Sequence, residues 1–165
     1  MFLQPNRSPR RWYGIAGNLF IALLVVGGAI LWRELPKNLI IADAESGEIY
    51  GRWPVTEGAE FAIEFVHSVN QTPVRDVFEV RGRRIWPVAT VFSSFGAGMQ
   101  SELGEGEKLI RDEDGTMRIV GFTRSFKSLA YIVGTVSDHI LFIQNERVSL
   151  RDRCGRNAHI TVRVK

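Results

Sequence analysis

The stretch FAIEFVHSVNQTPVRDVFEV, Phe61–Val80, decides the fold, because apolar and polar side chains alternate on both sides of a turn-like centre. Side chains two positions apart on a strand lie on one face. His67 therefore shares a face with the apolar residues before it, and Asp76 lies on an apolar face in the second half. The pattern predicts two antiparallel strands, each of which turns one polar side chain towards the core.

The loop between these strands sets which residues face each other. A four-residue hairpin loop at Asn70–Pro73 would place His67 opposite Asp76, where opposed Cβ atoms lie about 4.5–5.5 Å apart. A hydrogen-bonded pair there has three interpretations: a polar contact at the rim of the core, part of a ligand pocket, or part of a hydrolase triad. Ser68 points away from His67 on a strand, which disfavours the triad.

A glycine-rich loop follows the next predicted strand, in FSSFGAGMQ, Phe92–Gln100. Gly96 and Gly98 permit positive φ angles and the close approach of a ligand or of backbone. Successive N–H groups in such a loop could accept an anion together with Ser94, and a tight structural turn is the alternative. Together with the His67 segment, the loop predicts one binding surface.

These two pieces resemble the motifs of family eighteen-fifty of the bacterial domains of unknown function. The likeness rests on His-Ser-Val at 67–69, Pro-Val at 73–74 and Gly-Ala-Gly at 96–98, and Asp76 takes the place of an acidic residue after Pro-Val. The resemblance implies a small envelope protein associated with the TAXI type of tripartite ATP-independent periplasmic (TRAP) transporter. The candidate ligand- or partner-binding residues are His67, Ser68, Pro73, Asp76, Ser94, Gly96 and Gly98.

The chain from residue 39 onward shows period-two alternation in short segments that turn residues separate. Further strands are predicted at Leu39–Asp43, Glu48–Trp53, Arg84–Ser94, Lys108–Arg111, Met117–Phe122, Leu129–Val136, His139–Ile143, Arg147–Leu150 and Ala158–Val164. Asp114 and Gly115 between two of them are a strong hairpin signal. About ten short strands predict a mainly β domain, either an antiparallel β-sandwich or a small barrel.

The N-terminal part of the chain has a different composition. Trp12–Trp32 contains no charged residue and would reach about 31 Å as a helix, close to the ~30 Å hydrocarbon core of a bilayer. Arg7, Arg10 and Arg11 precede it, which places the N-terminus in the cytoplasm by the positive-inside rule. A cleaved signal peptide is the alternative, although its apolar core is usually shorter.

We therefore expect a single-pass protein of the bacterial inner membrane. Its parts are a basic cytoplasmic tail at 1–11, a transmembrane anchor in the lipid bilayer at 12–32, a linker at 33–38 and a periplasmic or extracellular β-domain at 39–165. We expect the anchor to stay attached, because no convincing cleavage site follows it.

Charge and composition exclude several classes of function. Four of the 21 basic residues precede position 34, so the body carries 17 basic against 18 acidic residues, which argues against nucleic-acid binding. Cys154 is the sole cysteine, so no intrachain disulfide forms; its arginine neighbours favour a lowered thiol pKa, but we expect an unreactive thiol. His67, His139 and His159 lie far apart, and neither a metal site nor a cofactor motif is predicted.

The expected function is that of a membrane-anchored accessory protein that contacts the permease or the solute-binding protein of a TAXI-type TRAP transporter. The alternative is an independent extracytoplasmic receptor or sensor for a small acidic ligand. A hydrolase of unknown specificity is a second alternative. We expect no enzymatic activity, because the sequence shows no complete triad, metal set or cofactor motif.

Overall fold

A computed structural model describes residues 36–67, 71–93 and 102–165 of the chain. These residues form eleven strands and one short helix. The strands are β1 Lys37–Asp43, β2 Ile49–Val55, β3 Glu60–Val66, β4 Pro73–Arg81, β5 Arg84–Phe92, β6 Lys108–Arg111, β7 Met117–Val120, β8 Ser128–Ile132, β9 His139–Ile143, β10 Glu146–Ser149 and β11 His159–Val164, and the helix is α1 Leu150–Cys154. The predicted membrane segment Trp12–Trp32 lies outside these residues. Within them, no helix is long and apolar enough to cross a membrane.

The strands form two antiparallel sheets, which confirms the predicted mainly β fold. The smaller sheet has the order β2-β1-β11-β8, and the larger has the order β10-β9-β3-β4-β5-β7-β6. Two consecutive hairpins, β3–β4 and β4–β5, build the centre of the larger sheet. The β6–β7 hairpin turns at Asp114 and Gly115 as predicted, and Gly115 takes a φ of 86° that favours glycine.

The larger apolar cluster of the described residues, here called the main core, contains side chains of both sheets. Leu39 and Ile41 of β1 are fully buried in the same cluster as Phe61 and Ile63 of β3, which belong to the other sheet. Because successive side chains of a strand point to opposite faces, the members of this cluster identify the inner face of each sheet. The predicted apolar faces of Phe61–Val80 are confirmed by this burial.

The inner face of the larger sheet carries a second, smaller apolar cluster. It consists of Val74, Phe92, Met117 and Ile119, with Phe65 and Phe122 packed against it. Asp76 and Thr90 lie opposite each other on β4 and β5, between this cluster and the main core. A polar pair thus separates the two apolar clusters on one sheet face.

The predicted pairing of His67 with Asp76 is wrong. β3 and β4 pair with Phe65 opposite Val74 and Ile63 opposite Asp76, so each residue meets a partner four positions from the predicted one. The His67 N–H donates to the Thr72 carbonyl at 2.9 Å, which closes the hairpin there and leaves residues 68–71 as the four-residue connection. The predicted loop had the right length but the wrong position, because Pro73 begins a strand instead of ending the loop.

The predicted strand Arg147–Leu150 extends one residue too far. β10 ends at Ser149, whose hydroxyl accepts the N–H of Asp152 at 3.0 Å and so caps helix α1. Leu150 begins the helix and is fully buried in the main core. The serine three residues before an aspartate is the sequence signal for this start.

Candidate functional site: a cleft between the sheets

Asp76 is held on the inner face of the larger sheet by its place in the middle of β4. Ile63 stands opposite it on one side and Thr90 on the other. The Thr90 hydroxyl donates a hydrogen bond of 2.7 Å to Asp76 Oδ1. Strand pairing therefore aims a carboxylate and a hydroxyl together at the space between the sheets.

The electrostatic state of Asp76 follows from its half-buried position. Loss of hydration raises the pKa of this carboxyl above its ordinary value, and the hydrogen bond from Thr90 partly opposes the change. Tyr131 approaches from β8 of the other sheet, and burial raises the pKa of its phenol, with a further contribution from the negative charge of Asp76. Tyr131 therefore keeps its proton and stays available as a hydrogen-bond donor.

His139 extends this polar group along the inner face. It stands opposite Phe65, and the two rings stack with centroids 5.2 Å apart, while the Tyr131 ring meets the imidazole edge-on at 5.9 Å. Its Nδ1 accepts the N–H of Gly134 at 3.2 Å, which places the proton of the neutral ring on Nε2. Burial lowers the pKa of His139, and the neighbouring Asp138 charge opposes that shift. The imidazole is thus favoured in its neutral form.

A cleft of about 660 Å³ opens over Asp76 and Thr90. Its apolar lining comes from both sheets and from the segments beside them and includes Phe78, Leu103, Phe122, Phe126 and Leu129. The volume lies within the range of about 300–1,000 Å³ that is usual for small-molecule sites. An apolar cleft with a few polar groups at one place is the common composition of such sites.

His67 lines a different cleft. This second space, of about 580 Å³, is bordered by Phe65, Gln71, Ser137 and His139 among others, and Asp76 is not among its described lining residues. The Ser137 hydroxyl accepts the backbone N–H of Val66 at 3.0 Å, which ties the end of β3 to the segment before β9. The two polar residues predicted to meet therefore line separate clefts.

The other predicted site residues are not brought to either cleft by the described structure. Pro73 is exposed at the first position of β4 and lines neither space. Ser68, Ser94, Gly96 and Gly98 lie outside the described residues. Within the described ranges, no group of three His, Cys, Asp or Glu side chains is placed to hold a metal ion.

Sequence reasoning missed Thr90, which lines the Asp76 cleft, and two ring residues near it: Tyr131, and His139, which lines the His67 cleft. Thr90 meets Asp76 only because a bulge between Val77 and Phe78 sets the β4–β5 register. Tyr131 and His139 arrive through pairings of strands distant in sequence. The sequence carries a partial signal for Tyr131 alone. Leu129 and Tyr131 alternate with exposed residues, which indicates that both lie on the inward face of β8.

Comparison with known families places these residues in context. The family model of a domain of unknown function (DUF1850) matches residues 61–150. The chain belongs to this family. Comparison with curated proteins and with solved structures finds no match.

The DUF1850 segment contains β3 except for its first residue, Glu60, and all of β4–β10, hence nearly the whole larger sheet and β8 of the smaller one. Asp76, Thr90, Tyr131 and His139 all lie inside it. Strands β1, β2 and β11, which complete the smaller sheet, lie outside it. The described polar groups of the cleft are thus contributed by the DUF1850 segment itself.

Proposed function

We propose that the domain is a binding module, tethered to the bacterial inner membrane, that assists a TAXI-type TRAP transporter by contacting its permease or its solute-binding protein. The motif resemblance and the predicted span at Trp12–Trp32 support this role. A span that holds the domain at the membrane raises its effective concentration near membrane neighbours, so a modest contact area suffices for association.

The observation that carries the proposal is an apolar row on the outer face of the larger sheet. Five strands each contribute one residue to this row, in the order Phe142, Ala62, Val77, Ala89 and Val120. The next position, on edge strand β6, is Lys108. The solvent-facing side of an antiparallel sheet normally carries polar residues. An unbroken apolar row across five strands therefore favours a surface that a partner covers.

The row has the composition of an interface centre with a polar border. Neither core cluster of the described residues includes any of its members. Beside it, the Arg75 guanidinium lies 4.0 Å from the centre of the Phe142 ring and pairs with Glu64 at 3.2 Å. On the same border, Arg118 forms two hydrogen bonds of 2.8 Å with Asp112. An apolar centre with charged groups at its rim is typical of protein interfaces.

Copurification tests this role. The full chain would be co-expressed with a TAXI-type permease and solute-binding protein and extracted in a mild detergent. Val77→Glu should reduce the copurified transporter by about 10-fold or more, because it buries a charge at the centre of the contact. Ile132→Glu is the matched control, since Ile132 is 55% exposed and lies on β8 of the smaller sheet, away from the row.

The melting temperatures of both variants show whether the domain is intact. Absence of any transporter component from the parent preparation would overturn the proposal. Equal copurification of parent and folded Val77→Glu would instead show that the partner binds elsewhere, which removes the outer row as its supporting observation.

A second candidate function is that of a small-ligand receptor, favoured by the cleft over Asp76. A receptor binds its ligand without a partner protein, so thermal shift of the full chain in detergent with organic acids, amino acids and amines discriminates between the two roles. Stabilisation by one class in the absence of the transporter supports the receptor. Neither role requires catalysis.

A further inference from the structure

The floor of the cleft carries a negative charge without a positive partner. Asp76 receives the Thr90 hydrogen bond on Oδ1, and among the described residues no Lys, Arg or His forms an ion pair with it. A half-buried carboxylate with one neutral donor has lost hydration that this donor only partly replaces. A bound cation is the group that would complete its interactions.

The walls of the cleft are aromatic and aliphatic. Phe78 lies two residues after Asp76 on β4, Phe122 also lines the cleft, and Leu129 lines it from β8 of the other sheet. At the mouth, Leu103 and Phe126 leave 47% and 40% of their surface exposed. Large apolar side chains exposed around a concave space favour an apolar ligand body, and aromatic faces also attract a cation.

The rim adds to the negative potential. The segment that precedes β6 contributes Glu102, Glu105 and Glu107 to the described lining, against the single positive side chain of Arg124. Glu107 itself accepts the N–H of Gly104 at 2.8 Å, so part of the rim is ordered by its own hydrogen bond. Among the described lining residues, this excess of acidic over basic side chains favours a cationic ligand over an anionic one.

We propose that the cleft over Asp76 binds a small organic cation, a primary amine with an apolar body of about the size of one ring, whose ammonium group pairs with the Asp76 carboxylate. The inference rests on the receptor role and not on the transporter contact. It also differs from the acidic ligand expected from the sequence, because that expectation placed His67 beside Asp76 in one pocket, whereas His67 lines a different cleft.

Three probes of matched shape separate charge from apolar contact: phenethylamine, phenethyl alcohol and hydrocinnamate. Their affinities would be measured by titration calorimetry on the full chain in detergent, with the same detergent in both solutions. Phenethylamine should bind about 10-fold more tightly than the alcohol, because a hydrogen-bonded charge pair is stronger than a neutral contact. Hydrocinnamate should bind most weakly.

Two variants assign the effect to Asp76. Asp76→Asn keeps the side-chain shape and should bring the ratio of amine to alcohol affinity to about one, because only the charge interaction is lost. Glu113→Gln removes the same charge from an exposed turn and should leave the ratio at its parental value. Comparing ratios cancels the partition of the probes into detergent.

The outcomes separate the ligand class from the receptor role. Three results would overturn the cation assignment but not the receptor role: equal affinity for amine and alcohol, tightest binding of hydrocinnamate, or an unchanged affinity ratio in Asp76→Asn. Absence of binding by all three probes at millimolar concentration would overturn both. Phenethylamine preference that only Asp76→Asn removes would support the proposal.

Discussion

Thr90 Oγ1 lies 2.7 Å from Asp76 Oδ1, directly across the β4–β5 pairing, and donates the hydrogen bond that holds this carboxylate on the inner sheet face. The pair stands where the main core and the smaller apolar cluster meet. The Thr90 hydroxyl favours the charged form of Asp76, whereas burial disfavours it, so the two have opposite effects on the pKa of this carboxyl. Substitution of either side chain should therefore change both the stability of the domain and binding at the cleft.

Thr90→Val should destabilise the domain, since it replaces the donor by a methyl group of the same shape. Loss of a hydrogen bond to a charged group costs about 1.5–3 kcal/mol of unfolding free energy. The cost should be larger at neutral than at acidic pH, because only the ionised carboxylate needs the donor. Thr90→Ser keeps the hydroxyl and is the control, which should recover most of the loss in urea unfolding. If Thr90→Val and Thr90→Ser destabilise the domain equally, the hydroxyl is not the cause and the loss of stability comes from altered packing.

Asp76→Asn should make stability less dependent on pH. Burial raises the folded pKa of Asp76 above its ordinary 3.8, so its favourable contribution is complete below that pH and is lost as pH rises through the folded value. At neutral pH the charged carboxylate therefore lowers the unfolding free energy of the parent, and asparagine avoids that cost. The variant should gain stability over the parent as pH rises from about 3.5 to 7.

Urea unfolding at several pH values measures this gain, with Glu113→Gln as the control for a change of one exposed charge. The difference in unfolding free energy between Asp76→Asn and the parent should grow with pH. If it stays constant or shrinks as the pH rises, burial is not the main influence on the pKa of Asp76. A residue that lowers stability when charged and yet lines a cleft has the properties expected of a binding group.

Local patterns predicted the elements of the fold but not their register. Alternation in Phe61–Val80 identified both strands and their inner faces, and Asp114 with Gly115 identified a hairpin, because these depend on neighbours in sequence. The sequence pattern places Pro73 in the predicted loop, although a proline is equally allowed at the first position of a strand, where the structure has it. That single ambiguity placed the loop two positions too late and so shifted the strand register by four residues.

The candidate site was still less accessible to sequence reasoning. Asp76 was identified from its apolar neighbours, but its partners come from strands whose pairing depends on the whole fold. His139 reaches Phe65 through the β3–β9 pairing, across more than 70 positions of sequence. No local pattern encodes such a meeting, so His139 could be considered in the sequence only as an isolated metal ligand.

Cys154 should react slowly with thiol reagents in the folded protein. Burial raises the pKa of its thiol to about 11, and the charge of Arg153 opposes this only in part. The arginine-rich sequence around it therefore does not create a reactive thiolate.

Labelling with Ellman's reagent at pH 8 measures this. The reaction should accelerate strongly on unfolding in urea, where the pKa of the thiol returns towards its ordinary 9.0. As the sole cysteine, Cys154 gives an unambiguous signal. Equal rates in the folded and unfolded chain would contradict the burial argument.

Gly121→Ala should destabilise the domain more than Gly115→Ala, although the two glycines have nearly the same φ, 87° and 86°. An added Cβ at Gly115 meets open space, so only the backbone conformation is penalised, by about 1–2 kcal/mol. At Gly121 the same atom would collide with the carbonyl oxygen of Gly106, in the segment that forms the acidic rim of the cleft. That overlap should add about 1–3 kcal/mol. Urea unfolding of the two variants measures the difference directly, and equal losses would show that the rim does not press against the end of β7.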